Sequence, residues 1–311
     1  MSKKYSTRLN ITVGADPEVF LVDQITNKPV PAIGKIGGTK YKPLVVRAGA
    51  LLEDNVMAEI NITPCKTSNE FIKTIHTVFE QLVDKVKPFG LVPKIVPTMM
   101  FPTGELKHYN EALDFGCEPD YNIYTLQENK VLFSQLRKTG LRTAGGHLHI
   151  GITNSSGDCV LDNKPMGRFF LGLACELTVG LATVALDDDL DRKPYYGRAG
   201  SHRIKSYGIE YRVPSNFWLL NDVYMKLMFD LCVAAARAAY ASEAYLESLA
   251  KLISTTIKKH KKNPITLSLS ESYLNIPEII NTKNKPSALG FINTHNGIAK
   301  VDTLIPFFSS K

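Results

Sequence analysis

The chain has 311 residues, of which 44% are hydrophobic and 22% charged, a composition typical of globular proteins with a sizeable core. No apolar run reaches the roughly 18 residues that a membrane span needs, so no membrane partner is expected. Five cysteines without a CxxC spacing, and an N-terminal stretch MSKKYSTRLN without an apolar core, favour reduced thiols in the cytoplasm over a disulfide frame or a secreted protein.

The net charge of +7 is concentrated near the C-terminus, in the stretch KLISTTIKKHKK at residues 251–262. A solvated helix end explains such a run, because cations there interact favourably with the helix dipole. Attraction to nucleic acid or to a nucleotide is the alternative.

The first half of the chain is rich in predicted strands. LNITVGADPEVFLVD alternates polar and apolar residues up to a turn-like ITNKPVPA, and VVRAGALLEDNVMAEINITP indicates two strands joined near residues 53–55. Thr67 or Ser68 is a suitable cap for a helix whose apolar face runs from Phe71 to Val86. LVPKIVPT predicts a short strand, and residues 106–140 are polar and irregular.

The second half is dominated by apolar helical patterns, over residues 165–186 and from 221 to about 250, with a continuation to 262. Strands and long helices are therefore segregated along the chain rather than alternating. This pattern predicts an α+β fold in which one face of an antiparallel sheet packs on helices and the other face stays open.

Four polar pairs at two-residue spacing mark the predicted strands. Residues i and i+2 of a strand point to the same face, so each pair puts two polar groups on one side of the sheet. The pairs are Asp16 and Glu18, Glu59 and Asn61, His147 and His149, and Glu210 and Arg212.

Carboxylates gathered on one face repel each other and resist ionisation. Divalent cations resolve this conflict, and Mg²⁺ or Mn²⁺ with oxygen ligands also holds nucleotide phosphates. A single pair is better explained by a surface salt bridge, but four pairs together favour a face that binds metal and nucleotide. The sequence contains no GxxxxGK[ST] phosphate loop and no glycine-rich loop of the ATP-grasp kind.

Three segments, GADPEVFLVD, GGHLHIG and GIEYRVPS, resemble the metal-binding strands of glutamine synthetase and occur in the same order. With EDNVMAEINITP as a further segment, the chain is more closely similar to the phage-encoded glutamine-synthetase-like carboxylate–amine ligases, the amidoligases. The resemblance implies a curved antiparallel sheet of the glutamine synthetase and guanidino kinase type, with helices on its outer face. It also implies a single catalytic domain over residues 1–311, helical from about 221.

The implied activity is ATP-dependent amide formation through an acyl phosphate, with Mg²⁺ or Mn²⁺, in the cytoplasm of a host cell. Small molecules, peptides or modified nucleic acids that carry an amine or a carboxylate are the implied substrates. The oligomeric state stays open. The alternatives are a phosphotransferase like the guanidino kinases and a basic virion-associated or nucleic-acid-binding protein.

The resemblance also implies roles for individual residues. Glu18 and Glu59 correspond to ligands of a first metal, with Glu53 as a further candidate. Asp16, His147 and Glu210 correspond to ligands of a second metal, although Asp16 is one methylene shorter than the family's glutamate.

The remaining implied roles concern the nucleotide and the amine. His149 would lie near the nucleotide phosphates, and Arg212 would contact the phosphoryl group in transfer. Three further arginines would neutralise phosphate charge, namely Arg192, Arg198 and Arg203. The candidates for the acid that takes a proton from the amine are Glu53, Asp54 and Glu118.

Overall fold

The computed structural model describes residues 9–109, 112, 119–129, 139–163, 166–187, 189 and 191–241. Every strand pairing in these residues is antiparallel, as the segregated pattern predicts. The basic stretch 251–262, Glu118 and most of the predicted helical C-terminal portion lie outside the described residues. Within the described ranges, no helix combines the length and apolar character needed to cross a bilayer.

The strands form two larger sheets and one two-stranded ribbon. In order of pairing, the first sheet consists of β1 (Asn10–Ala15), β11 (Leu148–Thr153), β13 (Gly208–Tyr211), β12 (Ser201–Lys205) and β9 (Tyr121–Asn122). The second sheet consists of β3 (Pro29–Val30), β2 (Glu18–Asp23), β6 (Met57–Ile62), β5 (Gly49–Asp54) and β4 (Leu44–Val46), with β7 (Leu91–Lys94) paired to β2. The ribbon pairs β8 (Thr98–Met100) with β10 (Leu141–Thr143).

In the part of the chain that the structure describes, five α-helices accompany these sheets. They are α1 (Ser68–Val86), α2 (Thr103–Leu106), α3 (Gly167–Cys175), α4 (Leu181–Leu186) and α5 (Asp222–Ala241). Short 3₁₀ turns cover Lys87–Phe89, Val160–Asn163 and Asn216–Leu220, and a π-helical turn, Glu176–Gly180, joins α3 to α4. The continuous apolar pattern of residues 165–186 predicts one helix and gives no sign of this π turn.

Helix α1 begins where its capping signal predicts. The Thr67 side chain accepts a hydrogen bond of 3.2 Å from the Glu70 amide, which satisfies one of the free N–H groups of the first turn. Phe71, Ile75 and Val86 are buried on one face, as predicted. That face packs on β5, β6 and β7.

Helix α5 ties the helices to the first sheet. It packs on β1 and β11 as well as on α1 and α3. Leu148, Ile150 and Ile152 of β11 are fully buried in the core cluster shared with α5 residues. The side chains that alternate with them therefore lie on the opposite face of the sheet, and His149 is one of these. The prediction of one apolar face and one polar face is confirmed for this strand.

The predicted strand LNITVGADPEVFLVD is divided in two. β1 ends at Ala15 and β2 begins at Glu18, so the chain passes from the first sheet to the second at Asp16–Pro17. The alternation of residue types continues across this point, and for that reason the sequence does not reveal the change of sheet.

Candidate metal and phosphate site

The change of sheet at Asp16–Pro17 brings the two sheets together. The Asp16 amide donates to the His147 carbonyl (3.3 Å) and the Glu18 amide to the Gly145 carbonyl (2.9 Å), next to β11 of the first sheet. The Pro17 carbonyl accepts from the Ile60 amide (3.0 Å) on β6 of the second sheet. The residues before β11 and those on β6 are thus held on either side of one dipeptide.

The first group of acids lies on the second sheet. Carboxylate oxygens of Glu18, Asp54 and Glu59 all lie within 4.8 Å of one another, and Glu18 stands directly opposite Glu59 in the register of β2 and β6. Burial raises the pKa of Glu18 well above its ordinary value, and the Asp54 charge adds to the rise. Burial raises the pKa of Glu59 in the same way, with Asp16 and Asp54 contributing. Without a cation, these carboxylates resist ionisation.

The second group lies on the first sheet. One ligand atom each of Asp16, His147 and Glu210 falls within 4.8 Å of the others, as the resemblance implies. His149 stands opposite Glu210 in the register of β11 and β13, and its Nε2 lies 3.0 Å from Asp16 Oδ2. His147 Nδ1 lies 3.3 Å from Asp16 Oδ1. The Asp16 carboxylate is therefore flanked by both imidazoles.

Burial and neighbouring charges shift the pKa values of the two histidines in opposite directions. Burial lowers the pKa of His147 to about 3, and the Arg212 guanidinium acts in the same direction. Burial also opposes the charge on His149, but the Asp16 carboxylate outweighs it and raises the pKa of His149 above its ordinary value. Burial alone would raise the pKa of Asp16, yet the two imidazoles lower it well below the usual range. Without a cation, burial therefore favours the neutral form of His147, and the Asp16 charge favours the protonated form of His149.

Several atoms of the second group fit a bound cation. Asp16 Oδ1 and, beside the group, His149 Nε2 are buried and, within the described residues, make no hydrogen bond. The contacts of 3.0 and 3.3 Å between Asp16 and the imidazoles are short but lack hydrogen-bond geometry. Unsatisfied buried polar atoms are costly and rare, and carboxylate oxygens with imidazole nitrogens are suitable ligands for Mg²⁺ or Mn²⁺. The residues present therefore fit a divalent cation.

Glu210 lies at the boundary between the acids and a basic region. Arg212 Nη1 donates to Glu210 Oε1, Arg203 Nη1 does so at 3.3 Å, and Lys205 Nζ lies 2.9 Å from Oε2. Arg203 faces Glu210 across β12 and β13. Burial raises the pKa of Glu210, with Asp16 next in importance, while His149 and Arg203 oppose the rise. Three cationic side chains thus border the second group.

The structure separates the predicted arginines. Arg203 and Arg212 lie at the site, as described. Arg198 Nη2 donates to the Pro194 carbonyl at 3.0 Å, and the Asp120 charge lies close enough to act on it. Arg192 is fully buried, with hydrogen bonds of 3.0 Å to Asp189 and to the carbonyls of residues 213 and 214. These contacts anchor Asp189 and Arg192 to the residues after β13, and they engage both Nη atoms of Arg192.

Three solved structures align with nearly the whole chain. A ligand-free GmaS is 13% identical with a TM-score of 0.44, covering 96% of this chain and 68% of that one. A GmaS complex with ADP is 11% identical with a TM-score of 0.39, covering 96% and 69%. A novel glutamine synthase homolog is 12% identical with a TM-score of 0.41, covering 97% and 68%.

No protein-family model matches the sequence, and no curated protein matches it either.

Glu53 does not join the acidic groups. Its carboxylate accepts hydrogen bonds of 3.0 Å from the amides of Gly34, Ile36 and Gly37, so it holds the loop before β4. Successive side chains of a strand point to opposite faces, and the neighbouring Asp54 supplies the third carboxylate of the first group. The sequence motif EDN contains both acids, and only the register of β5 and β6 distinguishes them.

Four polar residues at the site carry no signal in the sequence. Asp120 Oδ2 lies 3.5 Å from Arg212 Nε, and Lys205 contacts Glu210 as above. Tyr196 and Tyr207 place their hydroxyl groups on the imidazoles of His147 and His149 respectively. All four residues lie in loops or at strand ends. At such positions, neither alternation nor spacing shows which side chains point toward the site.

The glycines of GGHLHIG serve packing within the chain. A Cβ at Gly145 would lie 2.2 Å from His147 Nε2, and a Cβ at Gly146 would lie 2.0 Å from the Ser215 carbonyl oxygen. The Trp218 indole donates to the Gly146 carbonyl at 3.0 Å. The two glycines thus allow the His147 ring and the segment after β13 to approach the backbone closely.

A buried carboxylate supports the site from behind. Glu176, on the π-helical turn, accepts hydrogen bonds from the hydroxyls of Tyr124 and Tyr211, both at 2.5 Å, and from the Gly200 amide at 2.8 Å. Tyr211 lies between Glu210 and Arg212 in the sequence. Glu176 therefore fixes β13, the start of β12 and the loop after β9 relative to one another.

Proposed function

We propose that this protein is an ATP-dependent ligase that joins a carboxylate to an amine. The observation that carries the proposal is the pair of three-residue ligand groups on either side of Asp16–Pro17, bordered by Arg203, Lys205 and Arg212. Two cation positions beside guanidinium groups suit a triphosphate whose γ-phosphoryl group is transferred. The resemblance of GADPEVFLVD, GGHLHIG and GIEYRVPS to the amidoligases indicates which transfer this is.

Each part of the site has a role in this proposal. Glu18, Asp54 and Glu59 would hold one divalent cation, and Asp16, His147 and Glu210 the other. Bound Mg²⁺ or Mn²⁺ would neutralise charge on the phosphate oxygens. Arg212 and Arg203 would pair with the transferring group, because a guanidinium donates two parallel hydrogen bonds to phosphate oxygens.

The proposed reaction has two steps. An oxygen of the substrate carboxylate attacks the γ-phosphorus, the bond from that phosphorus to the bridging oxygen breaks, and ADP leaves with the bond electrons. The amine nitrogen of the second substrate then attacks the acyl carbon. The carbon–oxygen bond to the phosphoryl group breaks, phosphate leaves, and the amine proton passes to a carboxylate of the cleft.

The substrate classes follow from this chemistry. One substrate carries a carboxylate, and the other carries an amine on a small molecule, a peptide or a modified nucleic acid. We propose a cytoplasmic setting, in the host cell of a phage, on the strength of the sequence resemblance.

A coupled assay of ADP release in Mg²⁺ tests the proposal across a panel of carboxylates and amines. We expect ADP release to depend on both substrates, with an amide as the product detected by mass spectrometry. Glu18→Ala and Glu210→Gln should each abolish release, whereas Glu80→Gln on the exposed face of α1 should not. A stable phosphorylated product without an amide would identify a phosphotransferase instead, and full turnover by both site variants would refute the metal assignment.

A further inference from the structure

Both histidines of the HxH pair meet a tyrosine hydroxyl on the side away from Asp16. His147 presents Nδ1 to Asp16, and its Nε2 forms a hydrogen bond of 3.2 Å with the Tyr196 hydroxyl. His149 presents Nε2 to Asp16, and its Nδ1 forms a hydrogen bond with the Tyr207 hydroxyl. Different nitrogens of the two imidazoles face Asp16. In both rings, however, one nitrogen lies near Asp16 and the other forms a hydrogen bond with a tyrosine hydroxyl.

The contacts of His147 determine where its proton lies. Arg212 Nη1 lies 3.4 Å from His147 Nδ1 in a hydrogen bond, and a guanidinium can only donate. Nδ1 therefore carries the in-plane lone pair of the ring, which accepts from Arg212 here and would be taken up by a bound cation. The single ring proton is on Nε2, which donates it to the Tyr196 oxygen.

The contacts of His149 indicate the opposite tautomer, with the proton on Nδ1. Its Nε2 lies 3.0 Å from Asp16 Oδ2, and among the described residues neither His149 Nε2 nor Asp16 Oδ1 makes a hydrogen bond, although both atoms are buried. A lone pair and a carboxylate at this separation are stable together when a cation lies between them. The Tyr207 oxygen is then the acceptor for a proton on Nδ1.

We propose that Tyr196 and Tyr207 are positioning residues of the histidine pair. Each hydroxyl oxygen accepts the outer N–H of one imidazole, so that His147 Nδ1 and His149 Nε2 direct their lone pairs at a divalent cation shared with Asp16. The inference rests on the metal site of the proposed function and makes His149 a ligand of that cation. Partners on the outer nitrogen of a metal-bound imidazole fix its tautomer and its orientation.

The surroundings of both tyrosines suit this role. The Tyr196 ring lies within 5.2 Å of the Arg192 guanidinium carbon and within 5.3 Å of that of Arg212, so cation–π contacts fix it. Tyr207 lies in the turn between β12 and β13. Arg168 donates to the carbonyls of Lys205 and Gly208 on either side of it and pairs with Asp162.

Removal of the two hydroxyls provides the test. Tyr196→Phe and Tyr207→Phe retain the rings and their packing, and Tyr224→Phe, which retains the ring contact with Phe217, is the matched control. Binding of Mn²⁺ to the full chain is measured by calorimetry, without ATP or substrates. We expect each site variant to weaken Mn²⁺ binding by about tenfold or more, with the melting temperature and the control unchanged.

Ring ¹⁵N NMR with Mg²⁺ supplies a second readout. We expect the proton on Nε2 of His147 and on Nδ1 of His149, with the assignment of the two imidazoles made from His→Gln variants. The opposite tautomers would overturn the inference, as would wild-type Mn²⁺ affinity in both Phe variants, and the metal site itself would survive either result. A wild-type chain that binds no Mn²⁺ would overturn the metal site and the inference together.

Discussion

At the scale of single residues, the buried carboxylates of the site lower the stability of the folded chain. Burial raises the pKa of Glu59, and the charges of four other carboxylates, Asp16, Asp54, Glu18 and Glu210, add to the rise. A negative charge on Glu59 therefore destabilises the folded chain. A buried acid with such a shifted pKa is a candidate functional group. Functional sites commonly reduce stability in this way.

We expect Glu59→Gln to stabilise the chain in EDTA, because it removes a charge that the folded state disfavours. The same substitution should weaken Mn²⁺ binding by at least about tenfold and reduce ADP release accordingly. The measurements are thermal melts in EDTA and calorimetry with Mn²⁺. Glu80→Gln on α1 serves as the control, and a lower melting temperature for Glu59→Gln in EDTA would contradict the electrostatic argument.

Several site residues could be predicted from the sequence because strand alternation fixes their direction. Glu18, His147 and Glu210 follow from polar pairs and lie in the two groups. Tyr196 and Tyr207 could not be predicted in this way, because a loop side chain has no periodicity that defines its face. Arg192 has the expected residue type, but its burial against Asp189 depends on tertiary packing that local sequence does not encode.

At the scale of secondary structure, β5 presents two adjacent acids to different surroundings. The Glu53 carboxylate holds three loop amides, and the Asp54 carboxylate joins Glu18 and Glu59. The hairpin was predictable from EDN between two apolar stretches. The sequence does not show which of the two acids faces the site, because a shift of register by one residue would exchange them.

Paired substitutions in β5 should separate these two roles. We expect Glu53→Ala to lower the free energy of unfolding by about 1–3 kcal/mol, because it removes charge-assisted hydrogen bonds to three amides, while Mn²⁺ affinity changes little. We expect Asp54→Asn to weaken Mn²⁺ binding about tenfold or more with little change in urea denaturation. Loss of metal binding in Glu53→Ala alone would restore the first interpretation of Glu53 as a ligand.

At the scale of the whole molecule, the charges of the two groups couple folding to pH. Glu18, Glu59, Glu210 and His149 have pKa values raised by folding. A group of this kind contributes stability below its unfolded pKa and loses it as pH rises through its folded pKa. His147 has a lowered pKa, so it is neutral in both states above about pH 6.5 and contributes nothing there.

The free energy of unfolding in EDTA should therefore decrease as pH rises above about 6.5, where His147 no longer contributes. Saturating Mg²⁺ should reverse the trend, because the cation favours the ionised carboxylates and binds only the folded chain. Urea denaturation at several pH values, with and without Mg²⁺, measures both effects. A slope that is the same in EDTA and in Mg²⁺ would show that the two groups do not control the pH dependence.

The passage of the chain from one sheet to the other at Asp16–Pro17 also limits the distance between the two ligand groups. Asp16 serves one ligand group and Glu18 the other, and only a proline, with its restricted φ, stands between them. In the proposed site, the separation of the two cations would therefore be limited by the two peptide linkages between Asp16 and Glu18. A single residue inserted here would turn Glu18 toward the apolar interior. The first group would then lose one of its three ligands, while the second group would keep all three.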